Sequence, residues 1–457
     1  MTVLQAAEEV DAGDIWATRT FPVPAGASKS GLYRHEVRRA AVDAVVQAVT
    51  GRVTPEPLDY GDPRTRGCLR PLVRQADRAI DWARDTTETV LRRIRAAEGH
   101  PGVLDHFDDA PFHLFGGHRE AALRGEPGAI IAQRHGAICR ATVDGAVWIS
   151  HLRSPAAFKL PAARALALAG QPVAAPEIPA PVHSAPPPGS TFREIAYAER
   201  DGVGYLSFDF YNGAMSTDQC RRLLDAYRYA AARERTHVIV LMGGRDFFSN
   251  GIHLNVIEAD DDPAAESWWN LLAIDDLVRE IIETESHLVV SALAGDAAAG
   301  GVPLALAADR VVARRDVVLN PYYRHMGGLY GSEYWTYLLP RRVGADTTAR
   351  LTAAPFKAVG TRRAVEIGLL DDAFGDSAEA FRAQTRALAE TLAGDPGLPG
   401  MLEHKRRIRA RDQRIKPLSA YRTEELARSH ECFFGEDRSY HEARRRFVYK
   451  LGAPCAV

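Results

Sequence analysis

Residues 295–340 read GDAAAGGVPLALAADRVVARRDVVLNPYYRHMGGLYGSEYWTYLLP, and this stretch decides the architecture. Immediately upstream, Leu288–Leu293 (LVVSAL) is a short, β-branched apolar run of the kind a buried strand requires. His237–Met242 (HVIVLM) is another. Each run is followed by a glycine-containing turn and later by a helical pattern. Further upstream, Gly204–Phe210 (GYLSFDF) alternates like a half-buried strand. Ser216-Thr217-Asp218-Gln219 then fits a capping box, with the serine as N-cap and the glutamine three positions on. Strand, turn and helix recurring in this order predict an α/β layer fold for the C-terminal part of the chain.

The pair Gly300-Gly301 resembles the second oxyanion-hole loop of the crotonase (enoyl-CoA hydratase/isomerase) superfamily. In that family a Gly-Gly pair opens a helix, and a backbone N–H there polarises an acyl-thioester carbonyl. The resemblance implies a crotonase-like ββα spiral. The turn Phe248-Ser249-Asn250-Gly251-Ile252-His253 is similar to the family's first oxyanion loop, so Ile252 and Gly300 are the expected N–H donors. Two N–H groups aimed at one thioester oxygen stabilise the charge it gains, each contributing about 3–4 kcal/mol in kcat. The two positions that hold glutamates in hydratases fall on Pro303 and Tyr323, which leaves neither carboxylate needed to hydrate a double bond.

Tyr323 therefore stands at a family catalytic position, and Glu333 follows ten residues later. A tyrosine beside a buried carboxylate can accept or relay a proton once desolvation brings their pKa values toward neutrality. The competing role for Tyr322, Tyr323, Tyr330, Tyr334, Trp335 and Tyr337 is an aromatic packing cluster. His253, Asp296, Gly301 and His325 lie on the same loops and are expected to line the substrate.

The run NPYYRHMGGLYGSEYWTYLLPRRVG, with FFSNGIHLNVIEA upstream, resembles the HypX-type hydrogenase-maturation proteins, which fuse a formyltransferase-like half to a crotonase-like half. Near the end, Phe447-Val448-Tyr449-Lys450 matches the family's Phe-Val-x-Lys, which implies that Lys450 contacts the phosphates of CoA. At the start, Val10-Asp11-Ala12-Gly13-Asp14 resembles the end of a formyltransferase catalytic domain, with Asp11 at its catalytic aspartate. The expected organisation is a formyltransferase catalytic remnant over 1–55, a small β-rich formyltransferase C-terminal-like domain over 56–155, a proline-rich linker over 156–190 and the crotonase-like domain over 191–457. The chain reads as beginning in the middle of a domain, without the Asn-x-His motif and folate-binding strands of formyltransferases. Formyl-tetrahydrofolate is then expected as a cofactor only if a missing N-terminal region or a partner chain supplies its site.

The resemblance implies decarbonylation of formyl-CoA to carbon monoxide and CoA, for the active site of nickel–iron hydrogenase. A formyl thioester has no α-carbon, so the enolate chemistry usual in the superfamily is unavailable to it. Two alternatives stay open: an isomerase or hydrolase acting on a longer acyl-CoA, and a non-catalytic hydrogenase assembly factor. The implied partners are an acyl-CoA, a separate formyltransferase chain or hydrogenase-maturation proteins, and further copies of the chain in a homo-oligomer.

Composition narrows the field around these motifs. At 457 residues, with 46% hydrophobic and 25% charged residues, the chain has the make-up of a soluble globular protein of two or three domains. A net charge of −2 gives no overall attraction to nucleic acid or anionic membrane. No apolar run approaches the ~20 residues of a membrane span, and the acidic N-terminus is no signal peptide. Cys68, Cys139, Cys220, Cys432 and Cys455 are scattered without C-x-x-C spacing, which suits a cytoplasmic protein and no zinc framework. Seven prolines between Pro172 and Pro188 predict a stiff connector. His106, His113 and His118, with Asp105, Asp108 and Asp109, lack metal-ligand spacing and are read as a solvated polar loop, so no metal is expected. The basic run from Lys405 to Arg411, extended by Arg414 and Lys416, is either a solvated helix face or a contact for CoA phosphates.

Overall fold

The computed structural model describes residues 1–51, 57–59, 61–65, 70–183, 189–353 and 358–452. The chain divides into two compact units, one of residues 1–179 and 189–192, the other of 180–188 and 193–457.

In the second unit the apolar runs become the centre of a six-stranded sheet. Its order is Asp372–Phe374, Arg310–Arg314, Leu288–Leu293, Val238–Met242, Val203–Phe208 and Ile195–Arg200. All neighbours are parallel except the last pair, which is antiparallel. Leu288–Leu293 is buried along its whole length, as a parallel strand covered on both faces must be. A second sheet of four short strands runs Phe247–Ser249, Asp296–Ala298, Val318–Asn320 and Val359–Gly360. Three turns of strand, strand and helix thus succeed one another: 238–242, 247–249 and the helices after it; 288–293, 296–298 and Gly301–Leu306; 310–314, 318–320 and Trp335–Val343. This is the ββα spiral. The expected capping box is present, with Ser216 accepting from Gln219 N and the Gln219 side chain accepting from Ser216 N at the head of helix Thr217–Ala231.

The first unit is built on an antiparallel sheet in the order Val103–Phe107, Ala110–Glu120, Ala146–Arg153, Ala137–Ala141 and Ile130–Arg134, against which helix Thr87–Ala97 packs. Thr2–Leu4 pairs with Ile15–Thr18 in a separate two-stranded ribbon, and helix Arg38–Thr50 packs on both strands. Two expectations change here. The segment expected as a linker from residue 156 begins with structure: Leu160–Pro161 pairs with Ala146–Arg153, and Ala162–Leu168 is a helix burying Ala162, Ala165 and Leu166. The alanine- and leucine-rich sequence supports a helix until the prolines start. The aspartates and histidines read as a polar loop lie instead on a β-hairpin, with Leu104 opposite His113 and a turn at Asp108-Asp109. There Asp105 accepts from Arg140 Nη1 at 2.6 Å and Trp82 Nε1 at 2.8 Å, so it is an internal ion-pair partner. Cys139, Cys220 and Cys432 are free thiols; Cys68 and Cys455 lie outside the described residues.

Candidate active site

Three turns of the second unit adjoin in sequence, the first against the second and the second against a carboxyl group on the third. The first follows strand Phe247–Ser249 and carries Gly251 in the left-handed region at φ +77°. A Cβ on Gly251 would stand 3.0 Å from Gly300 N, so this turn abuts the second, where Gly300 caps helix Gly301–Leu306. Among the described residues neither the Ile252 nor the Gly300 N–H has an acceptor. The third turn is Gly331-Ser332-Glu333-Tyr334, which leads into helix Trp335–Val343. A Cβ on Gly300 would lie 2.2 Å from Glu333 Oε1, and only a glycine leaves room for that oxygen.

Tyr323 completes the group. Its hydroxyl donates to Glu333 Oε2 at 2.9 Å, and Ser332 N donates to the same oxygen at 3.0 Å. Both side chains are buried, Tyr323 at 6% exposure and Glu333 at 1%. Burial, followed by the negative charge of Asp275, pushes the Glu333 carboxyl up to about 8, against the hydrogen bonds from Tyr323 and Ser332. Burial and then the nearby Glu333 raise the Tyr323 phenol well above its ordinary value. The expectation that both groups move toward neutrality therefore holds for the carboxyl and is corrected for the phenol. Burial disfavours the charged form of each; it lifts an acid of low pKa toward 7 and lifts a phenol away from it. Tyr323 is a neutral donor, and Glu333 is the group that changes charge near physiological pH.

The other residues singled out in the sequence have different places. His253 is the buried N-cap of helix Leu254–Glu258; its Nδ1 accepts from Val256 N at 3.3 Å. Its own N–H donates to Asn270 Oδ1 at 3.0 Å. Asp296 Oδ1 accepts from Val318 N at 2.8 Å, which ties adjacent strands of the small sheet. Gly301 packs onto the Ser249 carbonyl. His325 is exposed and stacks on Tyr322, with ring centroids 5.6 Å apart. Lys450 is exposed at the left-handed C-cap of helix Ser439–Tyr449, which Arg444 ties to Glu258 at 2.8 Å. Asp11, in the first unit, is exposed at φ +62° between the strands of the N-terminal ribbon. Packing claims most of the aromatic cluster: Trp335 packs on Tyr330, and the Tyr337 hydroxyl donates to Asp412.

The basic run divides: Arg406, Arg407, Arg411 and Arg414 are exposed, as on a solvated helix face, while Lys405 and Arg409 turn inward. Lys405 pairs with Asp309 at 2.6 Å and donates to His287 O; Arg409 donates to Tyr337 Oη and Ile282 O. Arg406 pairs with Glu403 and Lys416 with Glu424. Among the described residues no three His, Cys, Asp or Glu side chains gather as a metal site, and no helix is long and apolar enough to cross a membrane.

Sequence reading missed two further acids. Asp275, on helix Pro263–Glu283, and Glu425, on helix Leu418–Phe434, are both fully buried beside the third turn. Asp275 has a signal in hindsight, since it falls in phase with the apolar positions Leu271, Ile274 and Val278.

Comparison with known proteins gives two family matches. The model for the enoyl-CoA hydratase/isomerase family covers residues 200–452, and that for the formyl transferase C-terminal domain covers 72–167. The hydrogenase maturation factor HoxX of Bradyrhizobium diazoefficiens is 47% identical, over 99% of this chain and 78% of its own. The crystal structure of HypX from Aquifex aeolicus in complex with tetrahydrofolic acid is 40% identical, with a TM-score of 0.93 over 99% of this chain and 79% of that one. A putative enoyl-CoA hydratase/isomerase of Bacillus subtilis is 30% identical over 42% of this chain and 72% of its own.

Proposed function

Because the chain belongs to the HoxX/HypX family of hydrogenase maturation factors and carries an enoyl-CoA hydratase/isomerase domain, we propose that this domain splits formyl-CoA into carbon monoxide and CoA. The observation that carries the reading is the buried Tyr323–Glu333 pair set against Gly300. It supplies a proton acceptor without either hydratase glutamate. The N–H groups of Ile252 and Gly300 hold the thioester oxygen. The ionised Glu333 carboxylate takes the formyl proton; the electron pair of the C–H bond stays on carbon, and the C–S pair leaves with sulfur. Carbon monoxide and thiolate result, and the proton passes from Glu333 to sulfur. Nothing is oxidised or reduced. Tyr323 orients the carboxylate throughout, and Lys450 contacts the phosphates of CoA. Formyl-tetrahydrofolate serves upstream as the formyl source only if a further N-terminal segment or a partner chain supplies its site. The Aquifex relative was crystallised in complex with tetrahydrofolic acid, which supports a folate as the formyl carrier.

Carbon monoxide trapped on haemoglobin tests the reaction. Glu333→Gln and Tyr323→Phe should each slow release by about 10²–10⁴-fold while CoA-thioester binding, followed by calorimetry, stays close to wild type. With a carboxyl that ionises near 8, the rate should climb with pH through that value, because the neutral acid cannot accept a proton. Wild-type rates in both variants remove the pair from the chemistry.

A further inference from the structure

We infer that Asp275 and Glu425 are positioning residues for Glu333, holding its turn in a left-handed conformation from two separate helices. The inference deepens the proposed reaction and rests on it only where a rate is measured.

The backbone states the problem. Glu333 and Tyr334 are consecutive non-glycine residues at φ +60° and +57°, a region that L-residues seldom occupy. Such a turn persists when its surroundings over-determine it. Two helices do so here. Asp275 accepts from Glu333 N at 2.7 Å through Oδ1 and from Ser332 Oγ at 2.8 Å through Oδ2. Glu425 accepts from Tyr334 N and Thr336 N, both at 2.9 Å, and from the Thr336 hydroxyl. It therefore caps helix Trp335–Val343 from a helix ninety residues away in the chain. Ser429, on that same helix, donates to Gly331 O at 2.8 Å.

The same helix that carries Asp275 also holds the opposite side of the site. One turn earlier, Asn270 accepts from His253 N, next to the Ile252 donor, and donates to Met215 O at 2.9 Å. Helix Pro263–Glu283 thus sets the oxyanion turn and the carboxyl turn in one register.

The charges follow the geometry. Glu333 is faced by Tyr323, Asp275 and Glu425, and by the Cys220 thiol of helix Thr217–Ala231. A cation stands at the edge of this group: Arg422 lies 3.8 Å from Asp275 and pairs with Asp276 at 2.7 Å. Burial pushes Asp275 up to about 6, with Arg422 opposing, so Asp275 is already ionised when Glu333 titrates. Its charge then opposes ionisation of Glu333.

The full chain provides the test. Infrared titration of the protonated carboxyl band, assigned to Glu333 by its loss in Glu333→Gln, reports ionisation without any turnover. Asp275→Asn keeps an acceptor of the same shape and removes the charge, so the midpoint should fall by about one pH unit or more. Asp275→Ala removes the acceptor as well; it should lower carbon monoxide release further, with Asp275→Asn recovering part of the loss. Glu425→Gln is the second variant should Asp275→Asn not fold; burial and then Asp275 raise the Glu425 carboxyl to about 8 as well, so the Glu333 midpoint should fall, but by less. A lowered midpoint, together with a pH–rate rise displaced by the same amount, supports the inference. A lowered midpoint in a protein that releases no carbon monoxide supports the positioning role and sinks the proposed reaction. An unmoved midpoint in folded Asp275→Asn, or in folded Glu425→Gln where the first does not fold, overturns the inference whatever the rates.

Discussion

At the scale of single residues, Gly300 is where packing and chemistry meet. Its backbone is ordinary right-handed helix, φ −58° and ψ −18°, so torsion alone would accept an alanine there. The three atoms nearest to such a methyl all belong to the Glu333 carboxyl, at 2.2–3.3 Å. Gly300→Ala should therefore destabilise the protein by about 1–3 kcal/mol as an overpacked site does. Combined with Glu333→Ala, which vacates the space, it should regain most of that stability. Denaturant unfolding of the two single variants and the double variant checks this, and strict additivity would show that methyl and carboxyl do not compete. That Tyr323, Glu333, Ile252 and Gly300 fall on neighbouring turns was legible in the sequence, because each turn is marked by glycines close to it in the chain. Asp275 and Glu425 were not. They meet Glu333 from 58 and 92 residues away, and spacing along a chain carries no trace of such a meeting.

At the scale of elements, strands and caps were the most legible parts, since a buried β-branched run or a capping box is decided within a few residues. The basic helix Leu398–Ile415 was the least. Its cations suggested a solvated face or an anion contact, yet their fate depends on acids contributed by distant elements. Lys405 is 9% exposed at its side chain and pairs with Asp309, whereas Arg406 is 47% exposed and pairs within its own helix. Lys405→Ala leaves a half-buried carboxylate and a carbonyl without their donor, so it should cost about 1.5–3 kcal/mol. Arg406→Ala should stay within about 0.5 kcal/mol, as exposed pairs contribute little. Chemical denaturation separates the two; equal effects would show that the Lys405–Asp309 pair contributes no more than an exposed one.

At the scale of the whole molecule, proline content suggested one clean connector, and the chain instead crosses between its units more than once. Among the described residues, 180–183 belong to the second unit, 189–192 to the first, and those from Arg193 on to the second again. The return is anchored: Arg134 donates to Ile178 O at 2.8 Å, and to Thr191 Oγ1 and Phe192 O at 2.7 Å. On the other side, Val182 O accepts from Tyr197 N at 3.2 Å, and His183 stacks on Tyr229 with centroids 5.6 Å apart. A proline-rich sequence predicts an extended backbone, but it is silent on which surface that backbone lies along. The consequence can be measured with two fragments, 180–452 and 193–452. Both contain the two apolar cores of the second unit and the whole Tyr323–Glu333 site, so both should fold. The longer fragment keeps the hydrogen bond to Tyr197 and the ring on Tyr229. It should be the more stable by about 1–2 kcal/mol, the worth of one backbone bond and one ring contact. His183→Ala in the longer fragment should remove part of that difference. Fragments of equal stability would mean that residues 180–183 add nothing to the unit with which they pack.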